Sequence, residues 1–202
     1  MESLEQLDAR GGDESWQQLC GRISADCFAR FWRGNKVQVP YKNWRITLDT
    51  NTVPTGESSV TVTRMRVPFV NRDGFRFKLY RKDFFSALGQ LCGMHTIKSG
   101  YPEFDRDFIE QGTDEEKVRN LLSVPNIRQL VQAQPAINLE VRDNEGWLGV
   151  SFPAEVDELC FRAAGFINDV EQLKLLFALC AEILDHLCRT GSACEDEPEL
   201  TL

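Results

Sequence analysis

Hydrophobic positions change their spacing along the chain, and the changes divide it into predicted elements. Trp16, Leu19, Cys20, Ile23, Cys27 and Phe31 fall at helical spacing over residues 14–31, and Gly34-Asn35 ends that helix. From residue 44 the period becomes two. Trp44, Ile46 and Leu48 alternate with Arg45, Thr47 and Asp49. A loop holding Pro54-Thr55-Gly56 leads to a second strand over 60–70. The turn Asn71-Arg72-Asp73-Gly74 leads to a third, where Phe75, Phe77 and Leu79 alternate with Arg76, Lys78 and Tyr80. Connections this short predict an antiparallel meander with one buried face and one wet face.

A short helix is predicted over 83–91 and a strand over 104–110. Thr113 or Asp114 caps a helix ending near Leu122, and a further helix runs from Ser123 to just before Pro135. Strands follow over 137–142, 147–152 and 159–163, with a hairpin turn at Asp143-Asn144-Glu145-Gly146. Leu173, Leu176, Phe177, Cys180, Ile183, Leu184 and Leu187 then form one apolar stripe, and Gly191 closes that helix. The expected fold is α+β. It is a single domain over 13–192, a mostly antiparallel sheet of about six to seven strands with helices on one side and a long C-terminal helix. Residues 1–12 read as a disordered N-terminus and 193–202 as an acidic tail.

Composition adds the class of protein. The 202 residues are 42% hydrophobic and 27% charged, ordinary for a globular domain. No apolar run approaches the ~18 residues of a membrane span, and the polar, acidic start has no signal-peptide core; the expected location is cytoplasmic. The seven cysteines are odd in number and irregularly spaced, which predicts reduced thiols rather than a disulfide framework.

Charge singles out one segment. Residues 36–82 carry ten Lys/Arg against Asp49, Glu57 and Asp73, a local +7 in a chain of net −8. Arg45, Arg64, Arg66, Arg76 and Lys78 fall on the wet parity of the predicted strands, so they are expected to form one basic face. Such a face suits an acidic protein or a phosphate-bearing ligand. It also suits the protein's own acidic tail or N-terminal segment. The acidic total disfavours nucleic acid.

A second signal lies further along. Phe104-Asp105-Arg106-Asp107-Phe108, the Asp114 cap, Leu121-Leu122, Ile127, Leu130 and Ile137-Asn138-Leu139-Glu140-Val141 follow one another in a set order. With them, residues 100–163 resemble a bacterial family grouped as a domain of unknown function. The resemblance implies an acidic residue beside Phe opening a strand, a helix ending in paired leucines, and a strand pair. It implies no catalytic residues.

Other candidate chemistry is thin. Cys92-Gly93-Met94-His95 and His186-Leu187-Cys188 could make a zinc site or a Cys–His nucleophilic pair only if they meet in space. Glu103, Asp105 and Asp107 share one face of the predicted strand, the pattern of a solvated edge. Gly89, Gly93 and Gly100 are spaced too loosely for a phosphate loop. The expected function is therefore a binding or regulatory module, without metal or cofactor, that docks an anionic partner on the basic face. The alternative is an enzyme with an unrecognised site, most simply a hydrolase.

Overall fold

A computed structural model describes residues 36–55, 58–82, 95–144, 152–196 and 198. The predicted helices over 14–31 and 83–91, most of the predicted strand over 147–152, and Cys20, Cys27 and Cys92 lie outside the described residues. Nine strands form one sheet: β1 (Val37–Tyr41), β2 (Trp44–Thr55), β3 (Ser58–Asn71), β4 (Phe77–Arg81), β5 (His95–Ile97), β6 (Phe108–Gly112), β7 (Asn138–Arg142), β8 (Val156–Ala164) and β9 (Ala193–Cys194). Among the described residues four helices accompany them: α1 (Pro102–Asp107), α2 (Glu115–Ser123), α3 (Pro125–Gln132) and α4 (Val170–Arg189). The class is α+β with a mostly antiparallel sheet and a long C-terminal helix, as the apolar periods predict. The strand number is higher than expected.

The sheet order is β1-β2-β3-β8-β7-β4-β6-β5, with β9 beside β3. The simple meander is therefore corrected. β2 and β3 are a hairpin, but β4 is not the neighbour of β3. β8 pairs with β3 and β7 pairs with both β8 and β4, all antiparallel. These two strands arrive from the second half of the chain. Local periodicity finds strands but says nothing about which strand pairs with which.

One face of the sheet is apolar. Trp44, Ile46 and Leu48, Met65, Val67 and Phe69, Leu159 and Phe161, Leu139 and Val141, and Phe77 and Leu79 are all buried on it. They form one cluster with Val118, Leu121 and Leu122 of α2, Ile127, Leu130 and Val131 of α3, and the stripe of α4. Every residue of that stripe, from Leu173 to Leu187, is buried as predicted. Asp169 caps α4 by accepting from the Glu171 amide at 2.9 Å, and Gly191 follows the helix at φ +81°. Asp114 caps α2 in the same way, accepting from Lys117 N at 3.0 Å.

Three further readings change. Residues 104–110 are not one strand: Pro102 at the first helical turn starts α1, and β6 begins only at Phe108. Glu103, Asp105 and Asp107 thus lie on a helix rather than along a strand edge. β1, β5 and β9 were not anticipated, being five, three and two residues long. β9 also places Ala193 and Cys194 in the sheet, opposite Asn71 and Val70, rather than in a tail.

Candidate functional site

Alternation puts Arg45, Thr47 and Asp49 of β2, Arg64 and Arg66 of β3, Glu158, Cys160 and Arg162 of β8, Asn138, Glu140 and Arg142 of β7, and Lys78 and Tyr80 of β4 on the face opposite the core. Four of the five predicted basic residues, Arg45, Arg64, Arg66 and Lys78, share it. Lys78 is not adjacent to the arginines, however. Two strands separate β4 from β3, and strands lie about 4.8 Å apart.

Arg76 is the exception. Residue 76 precedes β4, outside the ladder that enforces alternation. Its guanidinium turns to Asp157, bonding through Nε at 3.0 Å and Nη2 at 3.2 Å, and reaches Asp143 at 2.7 Å. Asp157 stands opposite Phe69, on the apolar parity, and is buried. A buried carboxylate needs charged donors more than solvent does, so Arg76 is withdrawn from the basic face.

The inserted strands carry the acids that meet the basic segment. Each of three carboxylates on this face is shared by two cations. Asp49 holds Arg64 at 2.8 Å and Arg66 at 2.6 Å. Glu158 holds Arg142 at 2.6 Å and Arg66 at 3.7 Å. Glu140 holds Lys78 at 3.0 Å and also Arg162. The centre is dry: Glu158 and Cys160 have no exposed surface, and Arg66 only 5%. Burial, then the charge of Glu158, push the Cys160 thiol up to about 12, so it is an inert core group rather than a nucleophile. Arg45 at one side of the face is exposed. The described acids of the chain end, Glu195 and Asp196, stand instead beside Lys42 and Arg72.

Of the two Cys–His fragments, the described parts lie at opposite ends of the sheet. His95 is on β5, one end of the sheet, and Cys92 lies outside the described residues. His186 and Cys188 end α4 beside Asp185, which accepts from Tyr41 at 2.8 Å and Lys42 at 2.6 Å in the β1–β2 turn at the other end. Burial, then Arg189, lower the pKa of His186. Burial, then Glu195, push the Cys188 thiol up to about 11. That pair is poorly suited to nucleophilic work. Among the described residues no three His, Cys, Asp or Glu side chains are grouped to hold a metal ion.

One open groove of about 550 Å³ lies between α1 and α3, lined by Tyr101, Glu103, Phe104, Arg128 and Gln132 among others. Arg128 covers the Tyr101 ring at 3.6 Å and bonds the Leu122 carbonyl. Its one acid, Glu103, is accompanied by a single base, Arg128, which is engaged with the Tyr101 ring and the Leu122 carbonyl.

The sequence points to Arg45, Arg64, Arg66 and Lys78 on this face but not to Glu140, Glu158, Arg142 and Arg162. Their signal was present in the alternation of Leu139-Glu140-Val141-Arg142 and Leu159-Cys160-Phe161-Arg162. Only the strand order shows that these residues stand beside β3. No protein-family model, curated protein or solved structure matches this chain.

Proposed function

We propose that the protein is a non-enzymatic binding module whose charged sheet face docks an anionic partner. The observation that carries this reading is the sharing of carboxylates. Six described cations, Arg45, Arg64, Arg66, Lys78, Arg142 and Arg162, stand on that face against Asp49, Glu140 and Glu158. Pairing holds the arginines in place without cancelling their charge. Fixed donors with a surplus of positive charge favour an oxyanion, because ordering them costs nothing at the moment of binding. A cytoplasmic location and kinship with the bacterial family of unknown function belong to the same proposal.

The test is a melting-temperature screen of the full chain at low salt against phosphate, phosphoserine and a glutamate-rich peptide. A ligand that binds only the folded state raises Tm. The expected result is a rise with at least one anion that shrinks as salt approaches physiological strength. No rise with any anion overturns the reading.

A further inference from the structure

Within that face two arginines stand directly opposite each other. Arg64 of β3 and Arg162 of β8 are register partners. Opposed positions place Cβ atoms about 4.5–5.5 Å apart, and like charges there repel. Arg64 gives Nε and Nη2 to Asp49 at 2.8 and 3.1 Å, which leaves Nη1. Arg162 gives Nη2 to Glu140, which leaves Nε and Nη1. Arg162 Nε is buried without a hydrogen-bond acceptor, a costly state for a guanidinium donor. The side chains are 22% and 34% exposed, so solvent reaches the pair. Asn138 stands next in the row, opposite Arg162, and Tyr80 follows it.

We propose that Arg64 and Arg162 clamp the phosphate of a phosphomonoester, with the Asn138 amide beside it. The inference rests on the reading of this face as an anion site and gives it a ligand. Two guanidinium forks match a tetrahedral oxyanion through several parallel N–H···O bonds. The charge agrees as well. Within the ion-paired network, from which the exposed Arg45 stands apart, Arg64, Arg66, Lys78, Arg142 and Arg162 exceed Asp49, Glu140 and Glu158 by two. A phosphomonoester carries about −1.5 to −2 at neutral pH, whereas a carboxylate neutralises half of that surplus. The repulsion between the two arginines then becomes the driving force for binding.

Titration calorimetry of the full chain at low salt tests this, with inorganic phosphate, phosphoserine within a short neutral peptide, and a glutamate peptide as probes. The clamp requires a phosphate probe to bind at least about tenfold tighter than the glutamate peptide. Tighter binding of the phosphopeptide than of inorganic phosphate assigns the group to a protein side chain; the reverse order assigns it to a free phosphate. Arg162→Gln should lower phosphate affinity about tenfold or more. Arg162→Lys keeps the charge beside Glu140 and should lose most of the same affinity, because it lacks the fork. Arg119→Gln on α2 should change nothing. If Arg162→Gln does not fold, Arg162→Lys decides. Anion binding that both Arg162 variants leave unchanged overturns the clamp while the reading of the face stands. Glutamate bound as tightly as phosphate does the same. No binding of any probe overturns both.

Discussion

Glu110 is the register partner of Leu79 on the apolar face of the sheet, so a carboxyl group occupies a position that its neighbours give to hydrocarbon. It is 1% exposed, and its Oε1 has no hydrogen-bond partner. Ile97 of β5 flanks it on the other side. Burial, then the charge of Asp105, push this carboxyl up to about 7 from an unfolded value near 4.5, with Lys98 and Lys82 opposing. Between those values the folded chain keeps a proton that the unfolded chain has released. The contribution of Glu110 to stability should therefore be greatest below pH 4.5, fall by roughly 3 kcal/mol as pH rises to about 7, and level off above it. Urea melts of the wild type and Glu110→Gln across pH 5–8, a range set by the usual carboxyl-shift arithmetic, should diverge with rising pH, the variant ending the more stable. Parallel curves would show that Glu110 titrates normally.

The ion network should be unequal in its parts. Glu158 is fully buried between Arg66 and Arg142, and Glu158→Gln leaves both guanidinium groups short of charge. The expected loss is about 3–5 kcal/mol. Glu115→Gln removes a pair with Arg119 in which both partners are more than half exposed, and it should leave Tm unchanged. Equal effects on melting would mean that the buried face is wetter than its geometry implies.

Truncating the α4 stripe should be severe. Leu184 has no exposed surface and lies in the core cluster with the sheet. Leu184→Ala should cost about 2–5 kcal/mol, and the same change at Leu176 should cost a similar amount. Losses well below that range at both sites would place the helix outside the cooperative core.

Gly112 ends β6 where α2 crosses it. A Cβ there would stand 2.5 Å from Val118 Cγ2 and 3.3 Å from the Arg76 carbonyl. Gly112→Ala should destabilise by about 1–3 kcal/mol through overpacking. Combining it with Val118→Ala should cost less than the sum of the two single changes, because the second makes room for the first. Strict additivity in a double-mutant cycle would rule out the clash as the cause.

Much of this architecture is legible in the residues, for identifiable reasons. The α4 stripe, the Asp114 cap and the alternation at Trp44-Ile46-Leu48 each reflect an element that buries one face, and burial writes its period into the chain. β9 hides because two residues are too few to show a period, and β1 because Pro40 reads as a break in the alternation of Val37, Val39 and Tyr41. α1 hides because Phe104 and Phe108, stacked at 4.5 Å, suit a helical turn as well as a strand edge. The basic face was legible as a sign of charge. Its partners were not, since Arg64↔Arg162 and Arg66↔Cys160 depend on pairings between distant strands. Arg76 was misplaced because alternation was extended one residue beyond the strand that enforces it.

The seam between β3 and β8 has a consequence for how the protein comes into being. It joins residue 63 to residue 163, and 70 to 156. On the ribosome the β2–β3 hairpin emerges long before Glu158 exists to join Asp49 beside Arg66, and before α4 exists to cover Met65 and Phe69. Contacts this far apart in the chain form slowly and late. The nascent protein must therefore carry a hairpin with an uncovered apolar side until α4, which ends at Arg189, has been made. Until that helix arrives, the apolar side of the hairpin is the surface most in need of a temporary cover.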